Sequence, residues 1–518
     1  MATQEFRNQA LTDFSSAENR AAMNAALDAV AARLGKRRPM LIDGREVSRE
    51  SSFASLNPSR ASEVVAVFPK ATAADVASAV SAAARTFESW RHVPAEERSA
   101  YLFRAAEIMR QRRHTLSAWM SYEVGKTWPE ADADTAEAID FLEFYAGENL
   151  RYAGEHPCTP IPGEWATLVY RPLGVCAVIP PWNFPLAILV GMTSAAIVSG
   201  NTVVLKPSSD SPTIGDEFVR IMHEVGLPAG VLNYVTGSGG EIGDALVTHP
   251  LVRLIAFTGS KPVGLRINEL AAHAGPGQRW IKRVIAEMGG KDAIIVDSEA
   301  DLEAAAQGVT VSAFGYQGQK CSACSRVIVD VAVHEAFLDK LLSRVRRLRV
   351  GPASDPSSDM GPVVNARAQQ SIIESIARGR AEGRLVVGGE AVGDGSGYFI
   401  APTVIADVAP PAYVAQEEIF GPVLAVLRAN DFDDALRIAN DTEYGLTGSV
   451  YTRNRSKMER ARRDFFVGNL YFNRKCTGAL VGGHPFGGFN MSGTDSKAGG
   501  RDYLLLFLQA QSVAEKLT

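Results

Sequence analysis

The sequence has 518 residues, 46% hydrophobic and 21% charged, with a formal net charge of −5. That is the composition of a soluble globular protein, and the chain is too long for one core, so two or three domains are expected. No basic block points to nucleic acid, and no apolar run reaches the roughly 18 residues a membrane span needs.

The start, MATQEFRNQALTDF, has no charged stretch followed by an apolar one, and no Arg/Ser bias. Neither a secretion signal nor a transit peptide is predicted. Five cysteines (Cys158, Cys176, Cys321, Cys324 and Cys476) are few, odd in number and scattered. That suits a reducing cytoplasm and no disulfide framework.

Residues 15–34 predict a helix with Met23, Leu27, Val30 and Leu34 on one face, opened by a capping box of Ser15 and Glu18. Further helices are expected over 72–90, 96–113 and 131–147, the last carrying several acids and an aromatic edge. From about residue 170, short β-branched runs at 174–180, 201–207, 230–235 and 252–259 alternate with helices such as 212–225. They have the character of buried parallel strands. A second alternating region begins near Ala293, with strands at 293–297, 325–330, 423–428, 447–452 and 468–473 and a helix from 301. The pattern predicts two doubly wound α/β domains facing each other across a cleft, with ligands at the carboxyl ends of the strands. Residues 150–170 and the tail from about 495 fit neither sheet and are expected to form a β-flap that pairs between subunits.

Several short motifs carry chemistry. TGSGGEIG, 236–243, lacks the last glycine of a dinucleotide fingerprint and is better explained as a tight turn into a helix. FTGSKPVG, 257–264, follows a strand and should open a helix, where backbone N–H groups and the Ser260 hydroxyl can meet a pyrophosphate. PPWNFP, 180–185, is a rigid loop at a strand's carboxyl end; Asn183 either satisfies turn backbone or offers its amide to a ligand. Glu287, in VIAEMGGKDA, is either a solvated loop charge or a partly buried base.

FGYQGQKCSACSR, 314–326, holds two thiols three residues apart. Zinc would need further ligands, yet no second CxxC or nearby CxxH exists. A thiol-exchange pair normally opens a helix early in a small domain, and this one lies deep in a large chain. One nucleophile with a neighbour is the remaining reading. Gly318 allows close backbone approach, Lys320 would favour a Cys321 thiolate, and Cys324 turns into the core.

PPWNFP, VLKP, FTGS, EMGGK, GQKC and EEIFGP stand in the order and spacing of the aldehyde dehydrogenase superfamily, which the chain resembles over nearly its whole length. Within it, EVGKTW, AEAIDFLEFYA and NRKCTGALVGGHPFGGFNMSGT are most similar to the 1-pyrroline-5-carboxylate dehydrogenase branch. With no flavin domain in the sequence, the stand-alone form of that branch is expected. The resemblance implies a dinucleotide-binding domain at 1–149 and 171–287, a catalytic domain at 288–490, and an oligomerisation flap at 150–170 and 491–518.

It also implies roles. Cys321 attacks an aldehyde, Asn183 and the Cys321 N–H hold the oxyanion, and Glu287 activates water. Cofactor contacts fall to Ile179, Pro180, Pro181, Trp182, Lys206, Ser209, Gly237, Phe257, Thr258, Gly259, Ser260, Glu418 and Phe420. Substrate contacts fall to Phe184, Lys320, Ser322, Gly478, Ala479 and Phe486, and no metal is implied. The cofactor is NAD. Ser209 stands where many relatives carry a ribose-binding glutamate, so NADP use is open. The implied substrate is L-glutamate γ-semialdehyde and the implied assembly a homo-oligomer of at least two chains. The alternatives are another semialdehyde or a betaine-type aldehyde, or a catalytically silent binding relative.

Overall fold

A computed structural model describes residues 5–517. Its frame is two seven-stranded sheets. The first runs, in spatial order, Arg283–Glu287, Val252–Thr258, Val175–Ile179, Thr202–Leu205 and Leu232–Tyr234, all parallel, and ends in the antiparallel hairpin Met40–Ile42 and Arg45–Val47. The second runs Arg384–Val387, Thr403–Ala406, Val423–Ala429, Cys324–Asp330, Asp292–Val296, Thr447–Tyr451 and Asn469–Phe472, parallel except at its Arg384–Val387 edge. The apolar strand runs of the sequence appear at their expected places because both faces of each sheet are covered. In the first sheet the chain leaves Val175–Ile179 in one direction and later returns to its other side, which puts a switch point at PPWNFP.

No helix among the described residues is long and apolar enough to cross a membrane. Ala187–Val198 is apolar on nearly every side and buried, with Gly191 letting the Phe141 ring close in; a Cβ there would stand 3.1 Å from the ring. That contact seats it against the long helix Trp128–Tyr152.

Three expectations need correction. The first helix, Ala17–Ala31, has Ser16 at its N-cap, and Ser15 instead gives its N–H to Asp13 at 2.9 Å, so Ser15 and Glu18 form no capping box. The helix expected over 96–113 breaks at Arg112, where φ is −102° and ψ 17°, and a second helix, Arg113–Val124, follows. The flap is smaller than 150–170 with 491–518. Its sheet takes His156–Pro157, Glu164–Pro172 and Leu508–Lys516, whereas 491–507 lies elsewhere: Met288 N–H donates to Ser492 O at 2.8 Å, and Tyr503, Leu504 and Phe507 enter the first core.

Glu123 fastens three segments. Its buried carboxylate accepts the N–H groups of Thr213 (2.6 Å) and Ile214 (2.9 Å), at the start of the helix Pro212–Glu224, and the Ser55 hydroxyl (2.9 Å). Glu123→Ala would orphan all three donors. It should lower unfolding free energy by on the order of 3 kcal/mol, read as a lower denaturant midpoint with unchanged slope.

Candidate active site

The FGYQGQKC run is held in an unusual path. Tyr316, Gln317 and Gly318 have φ of 49°, 56° and 68°. A Cβ on Gly318 would collide with Gly421 O, so glycine is required there. Side chains pin the run: Tyr316 O–H donates to Val124 O (2.9 Å), and Gln317 Nε2 to Gly125 O (3.1 Å) and Pro362 O (2.8 Å). Val364 N–H donates to Gln319 Oε1 at 2.9 Å. Cys321 follows, half-buried, just ahead of Cys324–Asp330, the central strand of the second sheet.

Asn183, buried at the switch-point loop, donates one amide hydrogen to Gln319 O at 3.0 Å. Its second amide hydrogen and the Cys321 N–H donate to no acceptor among the described residues. Glu287 ends the strand Arg283–Glu287, and its half-buried carboxylate accepts Gly488 N–H (3.1 Å) and the Ser496 hydroxyl. Burial pushes it up to about 8 in spite of those donors. It is therefore not a solvated loop charge.

Burial also raises the Cys321 thiol, and the carboxylates of Asp292, Glu418 and Glu287 add to that rise. The expectation that Lys320 favours its thiolate is not met, because Lys320 Nζ is committed to Glu130 Oε1 at 2.7 Å. Cys324 is buried in the core behind the second sheet. All five cysteines are free.

Along the first sheet's carboxyl edge, Ile179 and Pro180 are buried, and Pro181 and Trp182 half-buried. The Trp182 and Phe420 rings meet edge-on at 5.5 Å, joining the loops of the two sheets. Lys206 is buried, gives its ammonium to Pro207 O at 2.7 Å, and is pushed down to about 8 by burial. Ser209 lies beside it, its hydroxyl 3.4 Å from Gly237 O. Phe257 is buried against Gly259, Thr258 donates to Met192 Sδ at 3.7 Å, and Ser260 is the N-cap of Lys261–Ala272 with its hydroxyl unspent. Glu418 accepts Gly290 N–H at 3.1 Å and is pushed up to about 7 by burial.

The substrate candidates fall into two groups. Ser322 is buried, and its carbonyl accepts the Thr447 hydroxyl and the Cys476 thiol, each at 3.4 Å. This sets the start of the loop 476–483 directly behind Ser322. Arg474 Nη2 takes Thr477 O (3.1 Å) and Gly478 O (3.0 Å), turning these carbonyls away, while Gly478 has φ +75°. The Gly478 and Ala479 N–H groups donate to no acceptor among the described residues. Phe486 is half-buried and pairs through its backbone with Ala498 at 2.8 Å in both directions. Phe184 covers the Lys126 ammonium with one face, the ammonium sitting 4.1 Å from its ring and 4.3 Å from that of Tyr316.

Lys126 belongs to a cluster that the motifs did not announce. It lies 3.1 Å from Asp134 Oδ2, buried like itself, and near Glu130 and Glu137. Burial and the neighbouring Asp134 push Glu137 up to about 8. The only signal was the spacing of acids at 130, 134 and 137, one face of a helix. Ser496 and Gly488, which hold Glu287, gave none.

The model of the aldehyde dehydrogenase family matches residues 46–513. A Geobacillus kaustophilus protein named 1-pyrroline-5-carboxylate dehydrogenase is 54% identical over 512 residues, 99% of each chain. The crystal structure of 1-pyrroline-5-carboxylate dehydrogenase from Thermus with bound NAD superposes with a TM-score of 0.98 at 51% identity, over 100% of both chains. A betaine aldehyde dehydrogenase of Staphylococcus aureus with NAD+ gives 0.89 at 28% identity, over 96% of this chain and 98% of that one.

Exposure separates the thiols. Brief iodoacetamide treatment of the native protein should alkylate Cys158 and Cys321 and spare Cys176, Cys324 and Cys476. Labelling of Cys321 should quicken as pH rises. Peptide mapping by mass reads both.

Proposed function

The chain belongs to the aldehyde dehydrogenase family, and we propose that it oxidises L-glutamate γ-semialdehyde, the open form of 1-pyrroline-5-carboxylate, to L-glutamate, a step of proline breakdown. The observation that carries the substrate assignment is the loop 476–483: two uncommitted N–H groups, with the neighbouring carbonyls drawn off by Arg474, suit an α-carboxylate. Ser322 and Lys320 stand beside it. Glu137, a carboxylate close to that cluster, is suited to the α-ammonium. Phe184 and Phe486 flank the methylene chain. A betaine-type aldehyde, which lacks the α-carboxylate, has no use for this loop.

The same edge of the first sheet suits a dinucleotide. Lys206 is a buried cation at the end of the strand Thr202–Leu205, with Ser209 and Gly237 adjacent for the adenosine ribose. Ser260 and the N–H groups opening Lys261–Ala272 suit the pyrophosphate, flanked by the Phe257–Gly259 turn. Ile179, Pro180, Pro181 and Trp182 line the middle, and Glu418 with Phe420 suits the nicotinamide ribose and ring. When bound, NAD supplies the hydride acceptor that turns the thiohemiacetal into a thioester. Because no carboxylate stands at Ser209, NADP is a second cofactor, tested by comparing kcat/KM for each.

Chemistry by the chain's own groups follows from their placement. The Cys321 thiolate bonds to the aldehyde carbon. The oxygen becomes an oxyanion where the free Asn183 amide hydrogen and the Cys321 N–H donate. After the thioester forms, Glu287 takes a proton from water, and the hydroxide releases L-glutamate and the Cys321 thiolate. The chain acts in the cytoplasm as a homo-oligomer. The flap sheet supports the assembly, since Leu508–Lys516 is largely exposed and turns Val513 to solvent, with Trp165 outward on the adjoining strand.

Two variants test the assignment with pyrroline-5-carboxylate and NAD. Cys321→Ala should abolish NADH formation while NAD still binds. Glu287→Gln should keep one burst of NADH per site and lose steady turnover. In the native enzyme the turnover rate should rise with pH toward about 8, where Glu287 loses its proton, while a steady rate unchanged by Glu287→Gln would overturn the base assignment.

A further inference from the structure

The long helix Trp128–Tyr152 carries two carboxylate faces. Glu130, Asp134 and Glu137 face the cluster around Lys126 and Lys320. Asp132, Asp140 and Glu143 face the other way and receive the N-terminal arm. The arm binds as a strip: Thr12 gives its N–H (2.8 Å) and hydroxyl (2.7 Å) to Asp132, itself held by Arg113. Gln9 N–H donates to Asp140 Oδ1 at 2.8 Å.

Asn8 does something different. Its Nδ2 donates both to Asp140 Oδ2 (2.9 Å) and to Val481 O (3.0 Å), so one amide ties the helix to the loop 476–483. Beside it the Phe6 ring meets Phe144 edge-on at 5.1 Å, and together they close over Gly482. A Cβ at Gly482, where φ is +76°, would stand 3.1 Å from the Phe144 ring and 3.2 Å from that of Phe6. The loop is thus gripped at both ends: Arg474 holds the carbonyls of Thr477 and Gly478, and Asn8 with Phe6 holds Val481 and Gly482. The free N–H groups of Gly478 and Ala479 belong to the two peptide units whose carbonyls Arg474 holds, and Val481 follows two residues on.

We propose that Phe6 and Asn8 of the N-terminal arm are positioning residues for substrate selection: they brace the back of the loop 476–483 so that its N–H groups are preset for an amino-acid carboxylate. This rests on the substrate reading above, and it adds that selectivity is shared with a segment some 470 residues away in sequence. A preset loop loses little freedom on binding, and releasing one end returns that cost to the substrate that uses it. Substrates without the α-carboxylate do not feel the brace.

The test compares Asn8→Ala and the isosteric Asn8→Asp with the native enzyme. For each, KM and kcat are measured with glutamate semialdehyde, with pentanal, which lacks the amino-acid head, and for NAD. Both variants should raise KM for glutamate semialdehyde about five- to tenfold, the effect of losing the neutral hydrogen bond from Asn8 to Val481 O. Values of kcat, of KM for NAD and of kcat/KM for pentanal should stay near native. A parallel change for both aldehydes, or no change for glutamate semialdehyde in a folded variant, overturns the proposal. Melting curves identify folding failure. In that case Phe6→Leu, which keeps the Asn8 bonds and loosens only the cover on Gly482, is read by the same ratio: a rise confined to glutamate semialdehyde supports the proposal, and no such rise overturns it. Failure of the substrate reading is separate: the native enzyme would form no NADH with glutamate semialdehyde.

Discussion

Placement of Cys321, the proposed nucleophile, depends on a backbone that would not hold its path unaided. Tyr316 and Gln317 both sit on the left-handed side of φ, where each residue with a Cβ costs about 1–2 kcal/mol. The cost is offset by burial and by side-chain bonds to two separate loops, 124–125 and 362–364. The strained run therefore exists only when the long-helix region and the second sheet are both in place. Gly318 then slides under Gly421, next to Phe420, and Gln319 O meets the Asn183 amide. One stretch thus registers the two sheets against each other and delivers a thiol to the seam.

Much of this was legible in the sequence, for a reason that differs by element. Parallel strands buried on both faces appear as plain β-branched runs, so Val175–Ile179, Thr202–Leu205 and Asp292–Val296 lay where expected. Turn residues were legible where the backbone demands them, as at Gly318, which under Gly421 O admits no Cβ. What escaped was anything set by distant chain. Glu287 was indistinguishable from a loop charge because its donors come from 488 and 496, some 200 residues on. Lys320 looked like an activating neighbour of Cys321, yet adjacent residues point apart, and its ammonium goes to Glu130. The tail from 491 to 507 looked like part of a flap because its wall-forming role rests on contacts with Ala286, Glu287, Met288 and Tyr145 that have no local signature.

The long helix shows how one element serves two purposes. Its acids at 130, 134 and 137 recur at helical spacing on the side of the catalytic seam, while those at 132, 140 and 143 bind the arm. A helix with so many buried carboxylates is costly alone. Arg113 satisfies Asp132, and Lys126 stands beside Asp134 with its charge shared over the rings of Phe184 and Tyr316. The aromatic edge of the same helix, Phe141, Phe144 and Tyr145, packs on Gly191, Gly482 and the Gly499 N–H in turn, so the helix sets the spacing of the helix Ala187–Val198 and two loops at once.

Electrostatics then orders the chemistry. Charge on Glu287 raises the Cys321 thiol, so by reciprocity a thiolate raises Glu287. Two anions in one poorly solvated seam oppose each other, and the resting site holds its protons. Bonding the sulfur to carbon keeps that opposition from arising, because a thioester, like the resting thiol, carries no charge. In the proposed reaction Glu287 then gives up its proton with no thiolate beside it, at the stage when a base is needed. Thiolate and carboxylate are thus charged at separate stages, and that ordering needs nothing beyond two buried groups close enough to feel one another.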